Sequence, residues 1–161
     1  MSTINNVFLL NNNGPWTTKS NAELNVLFGL DLDFIQKIFL KYNKKELSKL
    51  KTDIRGLRSY IVKNIPLNSI GANEWHKVRN EIAIVVEGEI EWSLMDTNGH
   101  KKTFSLNENQ GIYIPNNILH TYRALQNNSL ILIIANTLFD PKNANTHDTY
   151  TIDTFNNVIQ K

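Results

Sequence analysis

The stretch Glu89-Ile90-Glu91-Trp92-Ser93-Leu94 alternates strictly, with its two carboxylates on one face and Ile90, Trp92 and Leu94 on the other. That is the period of a half-buried β-strand. Gly88 separates it from a second β-rich run, Glu81–Glu87, and Asp96-Thr97-Asn98-Gly99 follows it. Asn98-Gly99 is the strongest hairpin signal in the chain, because both residues accept the positive φ that a tight turn needs. Outward from this pair, further short β-rich runs stand at 59–65, 102–106, 112–114, 120–125 and 130–135. Pro66, Gly71 and the turn-rich segments 107–111 and 126–129 punctuate them. Closely spaced short strands with turns between them predict an antiparallel sandwich or barrel. No parallel βαβ pattern competes.

The front of the chain reads differently. Ser20 with Glu23 three residues later fits a capping box, and Asp31 to Tyr42 places Ile35, Ile38, Phe39 and Tyr42 at helical spacing. Lys41, Lys44, Lys45, Lys49 and Lys51 follow without interleaved aromatic residues, so they read as a solvated face and not as a nucleic-acid surface. The expected organisation is a helical N-terminal extension over 1–54, a β-barrel over 55–140, and a C-terminal loop ending in a short helix over 141–161, the helix being Ile152–Ile159. Composition narrows the class. The 161 residues are 41% apolar with a formal charge of +2, enough for a real core and too mild to imply nucleic acid. Cysteine is absent, which removes disulfide scaffolds, thiolate metal sites and cysteine nucleophiles. No apolar run reaches the roughly 18–20 residues of a membrane span, and residues 1–13 lack the pattern of a signal peptide. The expectation is a soluble, cytoplasmic protein.

Ionisable groups collect where such a barrel would gather them. Glu74 and His76 are two apart and share a side if extended; Glu81 opens one β run; His120 opens another, with Tyr122 on its side. Two imidazoles, two carboxylates and a phenol would converge on one cavity. Buried without partners they would cost several kcal/mol, so they must pair with one another, bind a metal or meet a polar ligand.

The spacing Glu74-Trp75-His76, four residues, Glu81, six residues, Gly88 resembles the first signature of the cupin superfamily. Pro115-Asn116-Asn117-Ile118-Leu119-His120 resembles the second. Glu74 stands where the first histidine is usual, and Asn117 where glycine is usual. Within cupins, Gly71-Ala72-Asn73-Glu74-Trp75-His76-Lys77, the run Leu106 to Pro115, and His120-Thr121-Tyr122 resemble the dTDP-sugar 3,4-ketoisomerases and, more distantly, the dTDP-4-dehydrorhamnose 3,5-epimerases. The resemblance covers about 55–140. It implies an all-β cupin fold, a jelly-roll or double-stranded β-helix barrel, and a homodimer.

It also implies isomerisation or epimerisation of a nucleotide-linked keto sugar by proton transfer. His76 would then be the base, since an imidazole takes and gives a proton near neutrality. His120 or Tyr122 would stabilise the enolate oxygen or relay the proton. Arg55, Arg58 or Arg79 would hold a diphosphate, and Trp75 would stack on the sugar. The rival is a metal cupin in which Glu74, His76, Glu81 and His120 bind Fe, Mn, Ni or Zn and support an oxygenase, isomerase or decarboxylase. A non-catalytic small-molecule-binding barrel is the third class.

Overall fold

The computed structural model describes residues 2–159; Met1 and residues 160–161, at the ends of the expected first and last segments, lie outside them. Twelve strands and three α-helices are labelled in chain order. In the front of the chain, β1 is Phe8–Leu10, β2 Asn13–Thr17 and β3 Glu23–Val26. Helix α1, Leu32–Phe34, runs on as a π-helical turn, Ile35–Phe39, and α2 is Lys44–Leu47. The remaining strands are β4 (Arg55–Ile65), β5 (Ile70–Trp75), β6 (Glu81–Glu87), β7 (Glu89–Asp96), β8 (Lys101–Asn107), β9 (Gly111–Ile114), β10 (Ile118–Ala124), β11 (Ser129–Thr137) and β12 (Tyr150–Thr151). Helix α3, Ile152–Ile159, closes the chain. No described helix is long and apolar enough to cross a membrane.

Ten strands form two five-stranded antiparallel sheets, ordered β1-β9-β6-β11-β4 and β12-β5-β10-β7-β8. Their inner faces share one core, in which Ile90, Trp92 and Leu94 face Val85, Ile112, Ile131 and Ile133. The alternation read from residues 89–94 thus decides which side of β7 is buried. The expected hairpin follows it: Gly99, at φ +82°, closes the turn by donating its amide to the Asp96 carbonyl at 2.9 Å.

Strand β6 explains the front of the chain. Ile82, Ala83, Ile84 and Val85 are all buried, so both faces of this strand need a cover. Ala83 and Val85 join the inter-sheet core. Ile82 and Ile84 point outward, where Leu10, Leu27, Phe28, Leu30, Phe34 and Phe39 cover them together with Tyr113. An apolar side chain buried this way contributes about 1.5–3 kcal/mol.

The expected N-terminal helical extension is therefore corrected to a mixed segment. Ser20 and Glu23 do not start a helix. Thr18 donates its amide to the Ala22 carbonyl at 2.8 Å across a tight turn, Asn21 takes φ +60°, and β2 and β3 pair as a small hairpin. β1 adds to the first sheet beside β9. The helix expected from Asp31 does form, with the Asp31 carboxylate accepting the Phe34 amide at 2.6 Å, and it ends at Phe39. Helix α3 matches its expected bounds and buries Phe155 on Trp75 and Leu119, on the outer face of the second sheet.

Candidate active site

Between the sheets lies a hollow of about 270 Å³. Tyr60, Glu74, Glu81, Trp92, His120 and Tyr122 supply its polar wall, with Val62, Ala72, Ile131 and Ile133 as its apolar wall. The volume lies near the lower end of small-molecule sites, which run from roughly 300 to 1,000 Å³.

A bulge sets the register that brings these groups together. His120 on β10 pairs with Glu74 on β5, whereas the next residue, Thr121, pairs with Ala72, so Asn73 is the extra residue. Ala72 and Asn73 both take positive φ, at +61° and +58°. Bulges of this kind re-aim the side chains beside them. Tyr122 then lies opposite Gly71 on one side and Trp92 on the other. Gly71 is required there, because a Cβ would collide with the Tyr122 ring and hydroxyl. Asn117, in place of the glycine of the resemblance, takes φ +61° and donates its amide to the His76 carbonyl at 2.7 Å.

Glu81 is the electrostatic centre. Its Oε1 accepts from the Tyr60 hydroxyl at 3.1 Å and from Arg79 Nη1 at 3.4 Å. Its Oε2 lies 3.4 Å from His120 Nε2 and 3.7 Å from His76 Nε2. Burial alone would raise its pKa, but the neighbouring histidines and Arg79 outweigh burial and hold it well below the carboxylate range. Burial lowers the His120 pKa despite the nearby Glu81, and raises that of Tyr60, with Glu81 adding to the rise. Burial, followed by the Glu74 charge, also raises that of Tyr122. Each imidazole is oriented by a backbone carbonyl: His76 Nδ1–H donates to Asp148 at 2.6 Å and His120 Nδ1–H to Ile118 at 3.0 Å. A carbonyl only accepts, so Nε2 is left as the nitrogen that exchanges a proton.

The residues expected from sequence thus divide. Glu74, Glu81, His120 and Tyr122 meet in the hollow. His76 is within reach of both carboxylates, 3.7 Å from each, yet it does not line the hollow; it sits behind, with Arg79 Nη1 3.3 Å from its Nε2. Arg79 is buried in this same layer and also donates from Nε to Thr137 at 3.2 Å. Arg58 is half-buried, its guanidinium 5.0 Å from the Tyr60 ring centre and 4.9 Å from that of Phe139. Arg55 is exposed and clamped to Asp53 at 2.7 Å. Trp75 is a correction: adjacent strand residues face opposite sides, so with Glu74 inward its ring turns outward under α3 and donates Nε1–H to Thr154 at 3.0 Å.

Tyr60 escaped the sequence reading, and the contacts made by Asp148 could not be read from it. Tyr60 follows inward-facing Arg58 on β4, and only that alternation hinted at it. Asp148 sits in a loop without periodicity, but its carboxylate accepts the amides of Lys77, Val78 and Arg79 at 2.8–3.1 Å, fixing the turn that carries His76.

For a divalent ion, Glu74, His76 and His120 offer ligand atoms within 4.8 Å of one another. The buried Arg79 guanidinium, however, occupies the His76 Nε2 lone pair that the ion would need, and sets a fixed positive charge beside it. The donor set does not fit a resident metal.

The family model described as FdtA: WxcM-like, C-terminal, matches residues 41–154. The chain belongs to this family. No curated protein matches the FdtA-family chain by sequence. Among solved structures, it is similar to a 3,4-ketoisomerase from Helicobacter canadensis, at 16% identity and TM-score 0.65, covering 97% of this chain and 98% of that one. It is likewise similar to the WlaRB TDP-quinovose 3,4-ketoisomerase of Campylobacter jejuni, at 17% identity and TM-score 0.65, covering 98% and 100%. A third is the QdtA 3,4-ketoisomerase from Thermoanaerobacterium thermosaccharolyticum, in a histidine-to-asparagine variant in complex with TDP-4-keto-6-deoxyglucose, at 16% identity and TM-score 0.62, covering 98% and 94%. At these identities the likeness establishes a shared mainly β, cupin-type fold over nearly the whole chain.

Proposed function

We propose that this FdtA-family protein is a sugar 3,4-ketoisomerase that moves a ketone between neighbouring carbons of a TDP-linked 4-keto sugar. The observation that carries the reading is the hollow itself, where the Glu74 carboxylate, the His120 imidazole and the Tyr122 phenol share one space with an apolar wall of Val62, Ile131 and Ile133. Shifting a ketone needs a proton taken from the carbon beside the carbonyl and returned to its neighbour, and donors for the oxygens while charge sits on them. Tyr122 is held protonated and serves as a donor; His120 exchanges its proton at Nε2; His76 stands behind, fixed by Asp148 and Arg79. The Trp92 indole N–H, in the wall of the hollow, is a buried donor without a hydrogen-bond partner among the described residues. Sugar oxygens are partners of the right kind.

Incubation with TDP-4-keto-6-deoxyglucose, followed by NMR, tests the reading: a TDP-3-keto product is expected, and an unchanged substrate overturns it. Turnover is expected to persist after dialysis against EDTA, because Arg79 holds the place of a metal; loss of activity restored by Fe, Mn, Ni or Zn would favour the metal cupin instead. A homodimer belongs to the same proposal. Edge strand β4 exposes Leu57 and Ile61, each more than half accessible, and light scattering in solution tests whether a second copy covers them. A cytoplasmic location completes the reading.

A further inference from the structure

The groups in and around the hollow are not equivalent as bases. Glu81 is 3% exposed, its Oε1 accepting from Tyr60 and Arg79 and its Oε2 closed in by the two imidazoles. Tyr60 and Tyr122 are donors. His76 is 2% exposed, tied through Nδ1 to Asp148 and crowded at Nε2 by Arg79, and no part of it lines the hollow. Glu74 differs from all of these. Its side chain lines the hollow, keeps about a quarter of its surface (27%) accessible, and among the described residues its only ion-pair contact is His76 Nε2 at 3.7 Å.

We infer that Glu74 is the general base that takes the carbon-bound proton. The inference rests on the ketoisomerase reading. The Glu74 carboxylate removes the proton from C3 of the 4-keto sugar. The C3–H electron pair becomes a C3=C4 double bond, and the C4 carbonyl π pair moves onto O4. The 3-hydroxyl proton passes to O4 by way of His120 Nε2, and the returning O3 electron pair rebuilds a carbonyl at C3. The C3=C4 pair then takes the proton back from Glu74 at C4. One hydrogen has moved from C3 to C4 and one from O3 to O4, and no co-reactant is consumed. An unencumbered carboxylate suits the carbon step, since the group that receives that proton must reach the substrate directly.

The test is isomerisation of TDP-4-keto-6-deoxyglucose in deuterium oxide, with deuterium at C3 and C4 followed by NMR and TDP binding measured by calorimetry. Glu74→Gln is expected to lower both turnover and deuterium entry by about 10²–10⁴-fold, with TDP affinity held within about threefold. A loss under a hundredfold, with wild type active, overturns the assignment and leaves the ketoisomerase reading intact. Should the amide variant fail to fold, Glu74→Asp decides: a withdrawn carboxylate is expected to slow deuterium entry at least about tenfold with TDP binding unchanged, and an unaffected rate overturns the proposal. A wild-type protein that neither isomerises the sugar nor exchanges its protons defeats the ketoisomerase reading, and the assignment of Glu74 falls with it.

Discussion

Two hollows of unequal size invite comparison. The larger, about 500 Å³, lies outside the barrel, between the first residues, the α1 segment and the 113–117 loop; Lys37, Lys41, Tyr42 and Asn80 help to line it. The smaller, about 270 Å³, lies between the sheets. The larger offers exposed lysines, which water solvates at little cost. The smaller holds Glu81, His120 and, behind them, His76 and Arg79, each at most 3% exposed. Desolvation and convergence, not volume, make a place where proton affinities can be set apart from their solution values.

The largest effect is expected inside the barrel. His120→Asn preserves a group able to donate to the Ile118 carbonyl but removes the exchangeable Nε2. Turnover of the 4-keto sugar should fall about 10²–10⁴-fold while the fold survives, measured by steady-state kinetics beside a thermal melt. Asp148→Ala comes next. It strips three backbone amides of their shared acceptor, and buried donors left unpaired cost about 1–3 kcal/mol each, so a loss of about 3 kcal/mol in urea unfolding is expected, with activity lost as the His76 turn loosens. Gly71→Ala acts more locally. The added methyl displaces the Tyr122 ring, and misplacement of about 1 Å costs up to about 10²-fold in rate; a turnover equal to wild type would mean that Tyr122 has no part in the chemistry.

Acidification probes the same burial more gently. His120 has a folded pKa below its unfolded value of about 6.5. Its contribution to stability is therefore present above about pH 6.5 and is lost as pH falls from there towards the folded value. Glu81, also depressed, contributes above its unfolded value of about 4.3 and loses that contribution as pH falls through its folded pKa. The urea midpoint should therefore drop on going from pH 7.5 to pH 5, and His120→Asn should flatten that drop. A wild-type midpoint indifferent to pH would speak against a buried, neutral imidazole.

The contrast also explains what could be read in advance. Strands with clean alternation or long apolar runs were legible: Glu81–Glu87 forms β6 with those bounds, and 89–95 lies within β7. Strand β5 was hidden because Gly71, Ala72 and Asn73 look like a turn, and two of them do take positive φ, yet the bulge they form is what aims Glu74. The β2–β3 hairpin was hidden for a related reason: Asn13-Gly14-Pro15 reads as punctuation, and its pairing depends on a partner strand across a turn. At the site, two-residue spacing gathered Glu74 with His76 and His120 with Tyr122, but spacing along a chain cannot say which of two close groups faces the cavity and which stands behind it. Arg79 and Asp148 decide that, and both act through contacts that only tertiary structure creates.

The outer hollow supplies the smallest effect and the sharpest control. Lys37 pairs at 2.7 Å with Asp33, and both side chains are largely exposed, so the pair adds little to stability. Neither Lys37 nor Lys41 approaches the groups between the sheets. Lys37→Ala with Lys41→Ala should therefore leave turnover of the 4-keto sugar within about twofold of wild type and the urea midpoint nearly unmoved, since surface changes usually fall within about 0.5 kcal/mol. If the double variant instead raised KM for the TDP-linked sugar while sparing kcat, the nucleotide would be gripped from outside the barrel by these lysines. The larger hollow would then belong to the site, as a binding surface placed apart from the groups that move the protons.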